Sequence, residues 1–358
     1  MSFTKKTTFL FIFFFNIVCI NAVISQNLYG GIEIGGKGIK ITVMDIHNAK
    51  KNLFDIKEFW TENTALARGI ALDGNLHLDD LEKTYQVIQQ NFNKLQDTHH
   101  VSKEKIYIII SSGVGMAKNV NVLVDKIKEL TQKNAEVINS ELEARLLVKG
   151  GIPANRYLNS LILDIGGGNT KGGYIGLYNE ENFVLMPLSM NYATVTFTEK
   201  IKKHSPSDSF EDFLKTSYQF QDTLKKEINK MYDMREGTRT KKNVYLSGGA
   251  VWAFATLTAT APIENFHKIT LEDVSKHQLD LIGNFTKFET LSKTNPEIEK
   301  VLKTYSQRHL ITANNILLSA IQNLDEPKDK KIYFVKQGQI AWLMAYILES
   351  AKDSKTIY

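Results

Sequence analysis

Between residues 164 and 170 the chain reads Asp-Ile-Gly-Gly-Gly-Asn-Thr. A carboxylate at the end of a strand can hold a divalent cation or orient a water. Glycines just beyond it let backbone N–H groups approach an anion with no side chain in the way. Asn169 and Thr170 add short polar contacts. Glu33-Ile34-Gly35-Gly36-Lys37-Gly38 forms a second glycine turn with an acid in front of it and a lysine within it. Ser247-Gly248-Gly249-Ala250 is a third, and it opens a helix, whose N-terminal dipole favours anions. Each turn alone is an ordinary link between strands. Three at corresponding places in the chain point to a ligand rich in phosphate.

These turns need strands to carry them. Tyr29–Ile34 and Gly38–Asp45 are apolar runs on either side of Gly35-Gly36, and Lys57–Thr61 is suited to a third strand. Lys105–Ile110 is a continuous apolar run of the kind buried on both faces of a parallel sheet. Helical spacing covers 78–95, about 120–132 and 139–149. Gly150-Gly151-Ile152-Pro153 then breaks the helix, and the order restarts: strands at 158–164, 171–177 and 183–188, and a long helix over 210–234. A strand at 243–246 precedes the third glycine turn. Helices near 271–282, 307–323 and 340–350 and a strand at 331–335 complete the chain. Each half opens with strand, glycine turn and strand, and continues as alternating helix and strand. The fold class is therefore α/β, with two duplicated layers and a cleft between them. The expected division is 27–152 and 153–358.

The start of the chain has a different character. Lys5 and Lys6 precede an apolar run from Phe9 to Ile20, and Val23-Ile24-Ser25 offers small residues at the spacing of a cleavage site. This describes a signal peptide over 1–25 and an exported protein, periplasmic or secreted. The run is short for a span, which takes about 20 apolar residues. Cys19, the single cysteine, lies inside it, so the mature chain has no disulfide and no thiol chemistry. Loss of Lys5 and Lys6 takes the net charge from +5 to +3. Scattered singly, His204, His267, His277 and His309 make no zinc or triad pattern. The basic stretch Arg235, Arg239, Lys241, Lys242 reads as a solvated connection, and there is no nucleic-acid signature.

From Tyr29 to Leu348 the chain resembles the exopolyphosphatase and guanosine pentaphosphatase (Ppx/GppA) family of the actin-like ATPase superfold, whose two domains are ribonuclease H-like. Asp164–Thr170 is similar to that family's Asp-Ile-Gly-Gly-Gly-Ser-Thr-Glu element. Ile138–Leu146 (Ile-Asn-Ser-Glu-Leu-Glu-Ala-Arg-Leu) resembles its Glu-Glu-Ala-Arg segment, and Tyr245–Ala250 its later glycine turn. The resemblance implies hydrolysis of terminal phosphoanhydride bonds of polyphosphate or a nucleoside polyphosphate, with Mg²⁺ and an activated water. Glu143 aligns with the general base, and Asp164 and Glu33 with the carboxylates that organise the metal. Gly35, Gly36, Lys37, Gly166, Gly167, Gly168, Asn169, Thr170, Gly248 and Gly249 are the expected phosphate contacts. A homodimer stays an open expectation.

Four departures from the pattern stand out. Glu33 replaces an aspartate, Gly36 replaces a serine, and Lys171 replaces the final carboxylate. No arginine lies near Gly115, where the family grips phosphate; Lys37, Lys118 and Lys171 are the cations available instead, and a lysine does not reproduce a bidentate fork. The alternatives are a phosphate-binding protein that has lost turnover and a secreted apyrase-like nucleotidase. A sugar or acetate kinase shares the glycine turns, but export argues against it.

Overall fold

The computed structural model describes residues 27–177 and 183–353. The expected signal peptide lies outside them. Among the described residues no helix is long and apolar enough to cross a membrane.

Two mixed sheets form the frame. The first has the order β3-β2-β1-β4-β5, from β1 (Leu28–Ile34), β2 (Gly38–Asn48), β3 (Leu53–Asn63), β4 (Ile106–Ile110) and β5 (Ala135–Val137). In the second the order is β10-β11-β9-β6-β7-β8, from β6 (Ser160–Ile165), β7 (Thr170–Leu177), β8 (Phe183–Met190), β9 (Asn243–Ser247), β10 (Phe266–Ile269) and β11 (Lys331–Val335). Each sheet begins as an antiparallel meander of three strands, β1-β2-β3 or β6-β7-β8. The first strand of each meander then pairs in parallel with a later one, β4 or β9. The duplication read from the strand order is thus present in the pairing.

Burial follows from composition. Ile108, Ile109 and Ile110 are buried, as a central parallel strand requires. Ile32, Ile39, Ile41 and Ile108 belong to one core with Leu81 and Ile88 of the helix Leu78–Asp97. A larger core joins Leu163 and Leu246 to the helices of the second half. A third is shared by both halves: Tyr29 and Ile109 meet Ile162, Tyr245 and Trp342 there.

The helix expected over 139–149 runs Ser140–Gly151 and ends inside the expected break, at Ile152. A side chain at Gly150 would collide with the Ala341 carbonyl of the helix Gly338–Asp353, so glycine here permits a close helix crossing. The helix expected over 210–234 is two, Phe210–Gln219 and Gln221–Asp233. Phe220 ends one and begins the next, its ring set against Phe197 and His204. Tertiary packing of an aromatic here overrides a continuous helical pattern.

Candidate functional site

A cleft of about 1080 Å³ opens between the two sheets. All three glycine turns line it, together with Glu33, Lys37, Lys40, Asp164, Asn169 and Lys171. The turns from the two halves touch: a Cβ at Gly168 would lie 2.9 Å from the Gly113 carbonyl, and one at Gly36 would lie 3.1 Å from the Gly168 amide. Side chains at these positions would push the halves apart. The third turn reaches the same place. Gly248 has φ +95°, a backbone region glycine alone enters freely, and any side chain there would strike the Asp164 carboxylate.

Carboxylates and lysines make up the floor. Asp164 is the penultimate residue of β6, and its Oδ1 accepts a hydrogen bond from Ser247 Oγ at 3.2 Å. Its Oδ2 lies 2.9 Å from Lys171 Nζ. The same ammonium is 2.7 Å from Glu143 Oε1, an ion contact without the alignment of a good hydrogen bond. Glu143 Oε2 accepts from the Ser112 backbone N–H at 2.9 Å and from its hydroxyl at 2.6 Å. Asn169 in turn donates to Ser112 Oγ at 2.9 Å. Lys171 therefore ties a carboxylate of β6 to one on the helix Ser140–Gly151, with the lysine side chain 6% exposed and that of Glu143 fully enclosed. Asn139 starts that helix, its side chain accepting from the Leu142 N–H, which aims Glu143 inward.

Protonation follows from these neighbours. Burial raises the Asp164 carboxyl, but the Lys171 and Lys40 charges and the hydrogen bonds from Lys171 and Ser247 more than offset it, and Asp164 is held below the usual range. Burial opposes the charge on Lys171, and Asp164, Glu143 and Glu33 outweigh it, so the ammonium is held firmly protonated. Glu33 is different. Desolvation dominates, with Lys40 only partly opposing it, and its pKa is pushed up to about 7. Its Oε1 accepts from Lys40 Nζ at 2.8 Å, while its Oε2 is buried with no hydrogen-bond partner among the described residues. Lys37 is pulled down by burial, with Lys83 and Arg68 nearby, and lies over the Tyr305 ring at 5.5 Å.

Most of the residues expected from the sequence meet here, with three corrections. Thr170 turns away from the cleft to donate to the Tyr192 carbonyl. Lys118 is spent on the Asp73 carbonyl, remote from the turns. Glu143 does not line the cleft; it lies behind Lys171, which does, and is held there by Ser112. The basic stretch is accounted for elsewhere, with Arg239 bound to Asn229, Asp233 and the Asn323 carbonyl. Ser112, Lys40, Ser247 and Tyr305 were not anticipated. Ser112 carries a local signal, a polar Ser-Ser-Gly just after an apolar strand, but which carboxylate it meets depends on how the halves dock.

Two ribonuclease H-like sheets facing each other across glycine turns define the actin-like ATPase class. Within that class, the model of the Ppx/GppA phosphatase family matches residues 44–326, and the chain belongs to this family. A guanosine-5'-triphosphate,3'-diphosphate pyrophosphatase from Pseudoalteromonas atlantica is 25% identical over 178 residues, 49% of this chain and 33% of that protein. The match thus spans about a third of the relative's length. Two solved structures share the fold. An exopolyphosphatase from Cytophaga hutchinsonii has a TM-score of 0.67 at 17% identity, covering 90% of this chain and 98% of its own. The Aquifex aeolicus Ppx/GppA enzyme has a TM-score of 0.60 at 20% identity, covering 89% and 99%.

Family members are generally metal-dependent, so the fit of a divalent ion is a question for this site. Among the described residues no group of three His, Cys, Asp or Glu could hold one. Glu33 and Asp164, expected as metal ligands, are engaged by Lys40 and Lys171, and Glu143 faces the same ammonium. The residues present do not fit a metal held by the protein.

Proposed function

We propose that this chain is a phosphoanhydride hydrolase that releases phosphate from polyphosphate or a nucleoside polyphosphate. One observation carries the reading: three glycine turns from both halves converge on Asp164 and Lys171 in a single cleft. Backbone N–H groups of such turns bind anions without sequence-specific side chains, and phosphoryl transfer depends chiefly on positioning and charge neutralisation. Magnesium enters this reading as the counter-ion of the phosphate chain itself, since Mg²⁺ keeps its waters and commonly takes ligands from substrate phosphates. The leader-like residues 1–25 support a substrate met outside the cytoplasm.

Two carboxylates bear on the proton of the attacking water, one directly and one through its neighbours. Glu33 lines the cleft with one oxygen unpaired, and Glu143 sits at the node joining Ser112 and Lys171. The test is phosphate release by the purified chain with polyphosphate, guanosine pentaphosphate, ATP and ADP, each as its magnesium salt. Glu143→Gln and Glu33→Gln are assayed alongside. Glu33→Gln, which removes the carboxylate of the two that lines the cleft, should lower release by about 10²-fold or more, and Glu143→Gln should lower it through the loss of its contacts with Lys171 and Ser112. No release from any substrate overturns the hydrolase. Heat stabilisation by the same ligands would then leave a binding protein of the same fold. Preference for ATP and ADP would point to the apyrase-like reading.

A further inference from the structure

We propose that the ammonium of Lys171 stands where a divalent cation would otherwise be needed, so that the cleft takes up a phosphate chain without a metal held by the protein. The inference rests on the phosphate reading above and concerns how that site is neutralised.

Three buried carboxylates, Glu33 and Asp164 in the cleft lining and Glu143 beneath it, act on the charge of Lys171. Carboxylates taken out of water must be paired, protonated or bound to a cation. Lys171 meets two of them at once, Asp164 at 2.9 Å and Glu143 at 2.7 Å, with its side chain 6% exposed. The two remaining oxygens are held by Ser247 and Ser112, so each carboxylate is oriented toward the lysine from behind. A magnesium ion bonded to the same oxygens would sit about 2.1 Å from them in octahedral geometry. It would occupy the space of the ammonium and repel it. The lysine is also part of the cleft wall, beside the Gly166 turn, where an anionic ligand would lie. One positive charge replaces two, which leaves less to offer a phosphate. Lys40 on Glu33 and Lys37 at the cleft wall supply the rest.

The test uses the full chain stripped with EDTA, Mn²⁺ as a paramagnetic probe, and tripolyphosphate as the ligand. Wild-type protein should bind no stoichiometric Mn²⁺ by EPR titration, and tripolyphosphate should raise its melting temperature in EDTA. Lys171→Glu, which restores a carboxylate, and Lys171→Ala should bind Mn²⁺ about 10-fold or more tightly than wild type. The ion should also raise the melting temperature of these variants selectively. One-to-one Mn²⁺ on the wild type without phosphate overturns the inference, as does stabilisation by tripolyphosphate only when Mn²⁺ is present. Should neither variant fold, the wild-type titration alone decides between these outcomes. Failure of tripolyphosphate to stabilise under any condition, while Mn²⁺ still distinguishes the variants, would remove the phosphate reading and leave the ammonium in the cation's place.

Discussion

The β1–β2 and β6–β7 hairpins are built to one plan and finished differently. In each, the penultimate residue of the first strand is an acid, a glycine turn follows, and a lysine on the second strand stands directly opposite. Glu33 pairs with Lys40, and Asp164 with Lys171 at the same separation along the chain. Cross-strand neighbours share a face, so each turn carries its own ion pair. The first pair is open: Lys40 is 22% exposed and, among the described residues, pairs with Glu33 alone, leaving one oxygen of that acid unpartnered. In the second pair the lysine is sealed, because the helix Ser140–Gly151 adds Glu143 to it. A single hairpin design thus yields an acid near neutrality in one half and a fixed charge network in the other, and the difference comes from a third element.

Removing each lysine gives the largest expected effect. Lys171→Met leaves two buried carboxylates without their cation and should cost about 3–5 kcal/mol in urea unfolding at pH 7.5. Lys40→Met should cost about 1 kcal/mol, because Glu33, already near half-protonated at neutral pH, can take up a proton instead. Equal losses would break the comparison.

A second effect belongs to neither hairpin and sets the pH at which they should be compared. His277 is buried between Phe254 and Phe288, its Nδ1 without a partner, and burial lowers its pKa to about 4. The unfolded chain binds this proton more readily. Its contribution is therefore present above about pH 6.5 and lost as pH falls toward 4, by roughly 3 kcal/mol in all. His277→Phe should flatten that part of the stability profile measured by denaturant titration across pH 4–7. An unchanged slope would show that another group carries it.

The smallest effect sharpens the role of the added helix. Asn139→Ala should lower stability by about 1 kcal/mol through loss of the helix cap. Its melting curve should shift in Lys171→Met as well, because the cap bonds the Leu142 backbone N–H whereas the lysine pairs with the Glu143 side chain. A cap mutation that becomes silent in that background would mean Asn139 matters only by aiming Glu143.

Much of this arrangement is legible in the sequence alone. Asp164 and its glycines stand out because the acid and the turn are contiguous, and the apolar runs beside them have strand lengths. The hairpin plan itself is a matter of local spacing. What was not legible depends on docking: Ser112 reaches Glu143, and Ser247 reaches Asp164, only once separate elements are brought together. Lys171 stands out in the sequence as a departure in charge, but its second partner lies on a helix of the other half. The same limit explains Gly150, which also serves as a crossing point against Ala341, and Phe220, where helical periodicity continues through a break made by packing.

The register of β6 with β7 also makes the site intolerant of changes in length. Successive residues of a strand point to opposite faces. One residue gained or lost between Ile165 and Thr170 would turn Lys171 outward and bring Thr170 or Gly172 to its place facing Asp164. Neither can carry a positive charge. The glycine turn therefore acts as a measuring length as well as a bed for phosphate, and drift in this segment can proceed by substitution far more readily than by insertion or deletion.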